Sequence, residues 1–335
     1  MNATPGGPQG ASDRRDHAPP RLVLGLDAGG TKIVCLLARA ADGAVLGRGV
    51  GGAGNILAAG AEKVAQSLAE AIGGAFAAAG GAPGGPPGTV AVAAIGAAGA
   101  ARADDRAALE ALLRRAIAAE RYVVTSDGAI ALRAALPRGP GVLLISGTGS
   151  IGYGRAIDGR EVRAGGWGYL LDDAGSAFAV GLAGLRAVLR AHDGRGSATA
   201  LRASLLAAWG LGAPEAIIGR VYQHPPPREA IAALAPLVLA AARAGDAAAG
   251  GIIAEAGGAL GEIAAAAIAQ LGTAPGDVVP LVTDGGFLRV GADDLLPHLL
   301  GGLRERGLTV AHRTAEVEAA HGALLLARET PGGDP

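Results

Sequence analysis

An apolar run followed by an acid and two glycines opens the ordered-looking part of the chain, at Leu24–Lys32, which reads LGLDAGGTK. A glycine turn after a strand can bring backbone N–H groups close to a phosphate. Two familiar phosphate loops do not fit, because the Walker spacing is missing and no helix follows the turn as a dinucleotide-binding loop requires. Instead, Ile33–Arg39 and Ala44–Val50 flank a D-G pair, which predicts a β-hairpin. The turn is therefore predicted to join strand to strand, and a surface hairpin turn without a ligand is the alternative.

The same pattern returns in the second half of the chain. Val142–Ser146 is an apolar run, the glycine turn Gly147–Ser150 follows it, and a second D-G pair stands at Asp158-Gly159. Strands that end in two facing glycine turns would clamp a polyphosphate, and an internal repeat is rarer than a single glycine motif. The repeat therefore favours phosphate binding over a plain turn.

Periodicity and turn residues predict the remaining elements. The first half is expected to run as three strands, helix, strand, helix, strand and helix, which is a mixed α/β layer with helices on both faces. After a break at Leu136–Gly141, the second half repeats the three strands and continues with helices up to Leu271. A third strand with a glycine turn, Val278–Phe287, precedes two helices, a short strand near Leu308–Ala311 and a last helix at Glu316–Arg328.

Composition narrows the class of protein. The chain has 335 residues, half of them apolar, and a net charge of −1, which gives no electrostatic argument for nucleic acid or an anionic membrane. Met1–Pro20 is polar and lacks the apolar centre of a signal peptide, so a disordered tail is expected there. The apolar stretch Gly251–Gly272 contains Glu255 and Glu262, which makes it too polar for a lipid-facing span. We therefore expect a cytoplasmic protein without membrane or nucleic-acid partners.

Five motifs, taken in order, resemble the sugar kinase, heat-shock ATPase and actin superfamily. They are LDAGGTK, the Asn-bearing GGAGN, TSDG, LISGTGS followed by GGWG, and TDGG, within Leu22–Arg328. Inside the superfamily they resemble the branch of N-acetylglucosamine kinases and bacterial glucosamine kinases, which also contains the BadF/BadG/BcrA/BcrD ATPases. The resemblance implies two ribonuclease H-like (actin-like ATPase) lobes around a central cleft. Sugar and phosphate would bind to a lobe over 21–138 and nucleotide to a lobe over 139–330, followed by a tail over 331–335.

The resemblance also implies a site for ATP and Mg²⁺. The residues that match the phosphate-binding and adenosine-binding positions of the family are Gly29, Gly30, Thr31, Lys32, Gly147, Thr148, Gly149, Gly257, Gly285 and Gly286. Asp27 matches the residue that supports the Mg²⁺, through water. The missing Cβ of Gly257, Gly285 and Gly286 would let a flat base lie against the backbone.

Asp127 matches the family's catalytic base, which accepts the proton of the attacking sugar hydroxyl. On the local sequence alone, a helix N-cap explains Asp127 about equally well, because this residue opens a predicted helix. The residues that match sugar-binding positions are Asp127, Asn55, Gly166, Trp167, Gly168 and Asp173. By composition alone, a tryptophan such as Trp167 would more often be a core or lid-packing residue.

The chain departs from the family in the loop after the GWG motif. The family reads Gly-Asp-Glu-Gly-Ser there, whereas this chain has Asp172, Asp173 and Ala174 before Gly-Ser. Ala174 removes a carboxylate near the amino-bearing side of the sugar, and this leaves the identity of the sugar open. The phosphate-binding residues and the base are kept, so the implied reaction class does not change.

Three other functions compete for the same motifs. A reductase-activating ATPase holds a four-iron cluster that needs four thiolates, and the single Cys35 gives a dimer only two. A sugar-sensing transcription regulator needs a helix-turn-helix, and the polar segment before Leu22 is expected to hold none. A non-catalytic sugar binder stays open, although Asp27 and Asp127 are both kept. We therefore predict an ATP- and Mg²⁺-dependent kinase, expected to be a homodimer, that phosphorylates N-acetylglucosamine or glucosamine at the 6-hydroxyl; another sugar, such as N-acetylmuramic acid, is the alternative.

Overall fold

The computed structural model describes residues 20–82, 85, 87–100, 102–274 and 276–331 of the chain. The predicted tails over 1–20 and 331–335 lie outside the described residues, apart from Pro20 and Pro331. Within the described residues, the chain forms two five-stranded sheets with helices packed on them. This confirms the predicted mixed α/β class.

The first sheet joins an antiparallel meander to two parallel strands. Its strands are β1 (Leu22–Ala28), β2 (Ile33–Arg39), β3 (Val45–Gly51), β4 (Val90–Ala97) and β5 (Ala119–Ser126), in the order β3-β2-β1-β4-β5. β1 pairs antiparallel with β2 and parallel with β4, and β4 pairs parallel with β5. Asp27 lies opposite Gly96 in β4, and Gly96 lies opposite Thr125 in β5. The carboxyl ends of these three strands therefore meet at one edge of the sheet.

The second sheet repeats this arrangement. Its strands are β6 (Gly141–Ser146), β7 (Ser150–Arg155), β8 (Glu161–Gly165), β9 (Val278–Asp284) and β10 (Thr309–Thr314), in the order β10-β9-β6-β7-β8. β6 pairs antiparallel with β7 and parallel with β9, as β1 does with β2 and β4. The glycine turns that follow β1 and β6 are therefore topologically equivalent, which confirms the predicted internal repeat.

Helices cover both faces of the first sheet. The described helices of this half are α1 (Ile56–Ala59), α2 (Ala61–Ala78), α3 (Ala103–Ala116) and α4 (Asp127–Ala135). Leu68 of α2 and Leu113 of α3 pack with Leu26 in one buried cluster. On the opposite face, Ile130 of α4 packs with Val23. Successive side chains of β1 thus point to opposite faces, and a helix layer buries each face.

The remaining helices follow β8 in the chain. They are α5 (Ala177–His192), α6 (Leu201–Ala208), α7 (Ala216–Ile218), a π-helical turn (Gly219–Gln223), α8 (Arg228–Ala232), α9 (Ala235–Arg243), α10 (Ala247–Gln270), α11 (Gly286–Val290), α12 (Ala292–Glu305) and α13 (Ala319–Glu329). The helices α5, α9, α10 and α12 share one large buried cluster with β6 and β9 of the second sheet.

Helix α10 is apolar because it lies in the core. Among the described residues it is the helix that is long and apolar enough to cross a membrane by length and composition, and 50% of its most apolar window is buried inside the protein. Core helices of soluble proteins pass the same test. It packs against α9 and α12, and its buried face includes Ile253, Leu260 and Ala264. This packing accounts for its apolar composition.

The last helix returns to the first sheet. The predicted boundary places everything over 139–330 in the second lobe, whereas α13 packs against β1 and α4. Ala323 and Leu324 of α13 belong to the same buried cluster as Val23 and Ile130. The boundary is therefore wrong for α13, which completes the core of the first lobe.

Candidate active site

The first glycine turn follows β1 and is open to solvent. Gly29 N–H donates to the Lys32 carbonyl at 3.0 Å, and Gly54 N–H donates to the Gly29 carbonyl at 2.9 Å. Gly30, Thr31 and Lys32 are all exposed. These hydrogen bonds fix the backbone of the turn, and its exposed side carries no bulky side chain at Gly30. Such a backbone can approach a phosphate closely.

The second and third glycine turns lie next to each other at the equivalent edge of the second sheet. Gly147 N–H donates to the Gly149 carbonyl at 2.9 Å, and Ala177 N–H, at the start of α5, donates to the Gly147 carbonyl at 2.9 Å. A Cβ added to Gly147 would lie 3.8 Å from the backbone nitrogen of Gly286. The sheet pairing of β6 with β9 brings these two turns together.

A cavity of about 400 Å³ opens beside these two turns. Its lining includes Gly147, Thr148, Ala177, Pro236, Gly286 and Phe287. Most of these side chains are small or apolar, so a flat aromatic base can lie among them while its phosphates reach the second turn. The structure thus brings three predicted nucleotide-binding residues, Gly147, Thr148 and Gly286, to one candidate site.

Two other predicted adenosine-site glycines are explained by packing within the protein. Gly285 has a φ of +101°, and a Cβ there would lie 2.2 Å from the Ser146 carbonyl oxygen. Gly257 is buried in α10, where a Cβ would lie 2.7 Å from the Leu295 carbonyl oxygen and 2.7 Å from Cβ of His298 in α12. The structure does not place either glycine in the lining of the 400 Å³ cavity. Their contact with adenosine stays a prediction.

Asp127 is the first residue of α4, but it is not the N-cap. Ser126 Oγ accepts the Ala129 N–H at 3.2 Å and caps the helix. Asp127 Oδ1 accepts the N–H of the adjacent Gly128 at 2.8 Å. The N-cap interpretation of Asp127 is therefore wrong, and its carboxylate is available for chemistry.

Asp127 lines a cavity of about 530 Å³ between the two sheets. The first lobe contributes Gly99, Arg106 and Thr125, and the second lobe contributes Ile151, Tyr153 and Arg163 of its sheet and Gly166 from the loop after β8. A volume of this size is within the range of small-molecule sites. The size of the cavity suits a small molecule such as a sugar, and the role of Asp127 as base stays a prediction.

Asp27 lies among other carboxylates near this cavity. Burial, followed by the charge of Asp127, raises the pKa of Asp27 from 3.8 to about 6, and Glu318 and Asp284 add smaller contributions. The nearby charge of Lys32 opposes the shift. Neighbouring negative charges disfavour ionisation of the Asp27 carboxyl, and a bound cation would favour it.

The groups around Asp27 fit a magnesium ion that arrives with nucleotide phosphates. Among the residues that the structure describes, no group of three or more His, Cys, Asp or Glu side chains is arranged to hold a metal. Mg²⁺ usually keeps several waters and takes one or two carboxylates plus substrate phosphates. Asp27, beside the first glycine turn, would supply such a carboxylate.

Asn55 lies at the rim of the Asp127 cavity. Its Oδ1 caps α1 by accepting the N–H groups of Leu57 at 3.0 Å and Ala58 at 3.3 Å. A Cβ added to Gly99, which lines the cavity, would lie 3.1 Å from that oxygen. Asn55 is thus close to the candidate sugar site, although its carbonyl oxygen already has two donors.

The GGWG segment passes along the second-lobe side of the same cavity. Gly166 lines the cavity, and Gly168 has a φ of +94°. Trp167 is 69% exposed, and the Arg163 guanidinium lies 4.9 Å from the centre of its ring. The core interpretation of Trp167 is therefore wrong, and a lid or a sugar platform is consistent with its exposed position.

The structure does not bring Asp173 into this cavity. Asp173 is 5% exposed, has a φ of +57°, and its Oδ2 would lie 2.8 Å from a Cβ added to Gly149. Burial raises the pKa of Asp173, and the backbone N–H of Ser150 partly offsets that shift. Asp173 therefore supports the second glycine turn in this structure, and its contact with sugar stays a prediction.

Five polar residues of the Asp127 cavity are absent from the predicted site. They are Arg106, Thr125, Ser126, Tyr153 and Arg163. Burial, followed by the charge of Asp127, raises the pKa of Tyr153 to about 12, so its hydroxyl stays protonated and can donate. The sequence signal at Tyr153 is an aromatic ring between two glycines in IGYGRA, but nothing local indicates what the ring faces.

Two sheets of the same strand order, with glycine turns at equivalent edges and a cavity between them, define a two-lobed ATPase of the actin-like class. The chain belongs to the BadF/BadG/BcrA/BcrD ATPase family, whose model matches residues 24–327.

Relatives of the chain carry the names of sugar kinases. An N-acetylmuramic acid/N-acetylglucosamine kinase of Clostridium acetobutylicum is 32% identical over 226 residues, which cover 68% of this chain and 72% of that protein. An N-acetyl-D-glucosamine kinase of Dictyostelium discoideum is 37% identical over 147 residues, or 44% of this chain and 46% of that protein. A crystal structure from Chromobacterium violaceum, provisionally described as an N-acetylglucosamine kinase, superposes with a TM-score of 0.71 at 31% identity and covers 92% of this chain and 99% of that one.

Proposed function

We propose that this protein is an ATP-dependent kinase that transfers the γ-phosphoryl group of ATP to the 6-hydroxyl of an amino sugar, either N-acetylglucosamine or glucosamine. The observation that carries this proposal is the position of Asp127, whose carboxylate lines a sugar-sized cavity at the same sheet edge as the first glycine turn. The names of the relatives support the same substrate class.

In this reaction Asp127 accepts the proton of the sugar hydroxyl while that oxygen bonds to the γ-phosphorus and ADP leaves. The exposed turn over 29–32 is the binding surface for the transferring phosphoryl group, and the second turn binds the remaining phosphates through backbone N–H groups and the Thr148 hydroxyl. The adenine base of ATP occupies the cavity of about 400 Å³ next to Gly147 and Gly286.

The proposal includes Mg²⁺, for which Asp27 would supply a carboxylate. When bound, Mg²⁺ supplies positive charge that neutralises the phosphate oxygens. Burial is the largest cause of the raised pKa of Asp27, about 6, and the charges of Asp127, Glu318 and Asp284 add to it. A bound cation would offset these neighbouring negative charges. Asp27 would hold the ion beside the first glycine turn, directly or through water.

The charge of the cavity bears on the choice between the two sugars. Arg106 and Arg163 line it together with Asp127. A sugar whose nitrogen is acetylated carries no charge, whereas the ammonium group of glucosamine would meet two guanidinium groups. We therefore place N-acetylglucosamine ahead of glucosamine.

The test is release of ADP, followed by a coupled assay, with N-acetylglucosamine, glucosamine, N-acetylmuramic acid and glucose as acceptors. Turnover that depends on an amino sugar supports the proposal. Binding of an amino sugar without any release of ADP would instead indicate a non-catalytic binder. A homodimeric state and a cytoplasmic location also stay predictions, which light scattering and cell fractionation would check.

A further inference from the structure

The hydroxyl of Tyr153 faces the Asp127 cavity and has no partner within the described protein. Tyr153 is half-buried on β7 of the second lobe and lines the cavity of about 530 Å³. Among the residues that the structure describes, none forms a hydrogen bond with this hydroxyl. A tyrosine that loses water on folding usually gives its O–H a hydrogen-bond partner, because an unpaired polar group is costly. We therefore expect the partner to be a ligand of the cavity.

Tyr122 shows the opposite arrangement. It is also half-buried, and its hydroxyl donates to the Ile117 carbonyl at 2.9 Å and accepts the Ala119 N–H at 2.9 Å. Tyr122 lies on β5 and does not belong to the lining of the cavity. The hydroxyl of Tyr122 thus stabilises the fold, whereas the hydroxyl of Tyr153 is available to a ligand.

The ring of Tyr153 is held against the start of α4. A Cβ on Gly128 would lie 2.0 Å from Cζ, which is the ring carbon that carries the hydroxyl. Gly128 directly follows Asp127, so this contact places the hydroxyl close to the base although the two side chains come from different lobes. The phenol stays protonated at neutral pH, because burial raises its pKa to about 12. A donor that is already oriented loses little freedom when it binds.

We propose that the Tyr153 hydroxyl donates a hydrogen bond to the 4-hydroxyl of the acceptor sugar, and so helps to select the gluco configuration at C4. This inference rests on the proposed kinase function. When the 6-hydroxyl of a hexosamine contacts Asp127, the 4-hydroxyl is the nearest other hydroxyl of the sugar, because C4 and C6 are both bonded to C5. A donor close to Asp127 therefore reaches the 4-hydroxyl before the 3-hydroxyl.

The experiment uses Tyr153→Phe, which removes the hydroxyl and keeps the ring. Calorimetry without nucleotide should show the Kd for N-acetylglucosamine rising roughly threefold to tenfold, the usual effect of losing one neutral hydrogen bond. The contact is made before and during the reaction, so kcat and the KM for ATP should change little. The midpoint of thermal unfolding should not fall, because the variant loses no hydrogen bond within the described protein.

Deoxy sugars identify the hydroxyl that Tyr153 contacts. Tyr153→Phe should bind N-acetyl-4-deoxyglucosamine as tightly as the wild type does, because that sugar already lacks the acceptor of the hydrogen bond. For the 3-deoxy sugar, the variant should show the same loss of affinity as for N-acetylglucosamine. The wild type should also bind N-acetylgalactosamine more weakly than N-acetylglucosamine, and the difference should narrow in Tyr153→Phe.

Tyr122→Phe is the matched control. The same atom is removed, but its two hydrogen bonds lie within the first lobe and outside the lining of the cavity. We expect a lower midpoint of thermal unfolding and an unchanged Kd for the sugar. The two variants should therefore give opposite results in the binding and stability measurements.

An unchanged sugar Kd in Tyr153→Phe would overturn the proposal. A fall in kcat at unchanged sugar Kd would assign the hydroxyl to the γ-phosphoryl group or to Asp127 instead. A loss of affinity as large for the 4-deoxy sugar as for N-acetylglucosamine would also overturn it. Absence of turnover in the wild type would remove the kinase function, and the calorimetric measurements would still decide the Tyr153 contact.

Discussion

Gly128 at the start of α4 lies directly against the ring of Tyr153 on β7, so closely that a Cβ on Gly128 would lie 2.0 Å from Cζ of the tyrosine. The two lobes therefore meet beside Asp127, which precedes Gly128 in the chain. Burial raises the pKa of Tyr153 to about 12, which keeps its hydroxyl protonated next to the Asp127 charge. Asp127 and Tyr153 thus line the same cavity from opposite lobes, with the Asp127 side chain half-buried.

Asp127→Asn should abolish most of the activity while leaving the site intact. The amide keeps the size of the side chain but cannot accept the proton of the sugar hydroxyl. We expect kcat to fall on the order of 10²–10⁴-fold with little change in nucleotide affinity. Steady-state kinetics and nucleotide titration of the folded variant check this. A turnover near that of the wild type would exclude Asp127 as the base.

Asp27→Asn should make the apo protein more stable and the enzyme inactive. The folded-state pKa of about 6 lies above the ordinary 3.8, so the contribution of Asp27 to stability is fully present below pH 3.8 and is lost as the pH rises through 6. Because asparagine never ionises, we expect the variant to gain ~1–3 kcal/mol in free energy of unfolding at neutral pH, the upper end being the full shift in pKa.

Denaturant unfolding of both proteins without nucleotide, between pH 3.5 and 7.5 in roughly half-unit steps, measures this difference. The gain should shrink towards zero as the pH approaches 3.8. ATP-dependent turnover should collapse at every pH, because the variant lacks the carboxylate for Mg²⁺. A variant that is less stable at neutral pH would show that Asp27 has a structural role.

Asp173→Asn tests the predicted sugar contact. If the carboxylate orients the sugar, its loss costs about 1.5–3 kcal/mol, and the sugar KM rises roughly tenfold to a hundredfold. Asp172→Gly is the control, because Asp172 faces Gly165 whereas Asp173 faces Gly149. That variant should leave the preference between sugars unchanged. If Asp173→Asn alters the KM for ATP and leaves the sugar KM unchanged, Asp173 supports the second glycine turn and does not contact the sugar.

Gly257→Ala and Gly258→Ala form a matched pair on α10. A Cβ on Gly257 meets the α12 backbone at 2.7 Å, whereas one on Gly258 meets nothing within 4 Å. We expect Gly257→Ala to lose ~1–3 kcal/mol of unfolding free energy through overpacking, and Gly258→Ala to gain up to ~1 kcal/mol in helix propensity. Thermal unfolding and the KM for ATP are measured together. A higher KM for ATP in Gly257→Ala at undiminished stability would support the predicted adenosine contact instead.

Local sequence patterns are enough to predict the repeated α/β arrangement and the glycine turns. Alternating apolar residues and D-G pairs predict strands and hairpins from local chemistry alone, and the observed meanders β1–β3 and β6–β8 follow those patterns. The order of five motifs also indicated the family, which the match over residues 24–327 confirms. The base could be named because Asp127 matches a family position, although the local sequence left the N-cap open.

Tertiary structure decided which residues share a cavity. Arg106, Tyr153 and Arg163 come from three elements of two lobes, and no local pattern relates them. Helix α13 packs on the first sheet although it follows the second in the chain, because an apolar helix face does not specify which sheet it will cover. Gly257 and Asp173 look like ligand positions in sequence, yet packing against α12 and the second turn accounts for where they lie. Side-chain periodicity sets which face is buried, and only the packing of distant segments sets what that face meets.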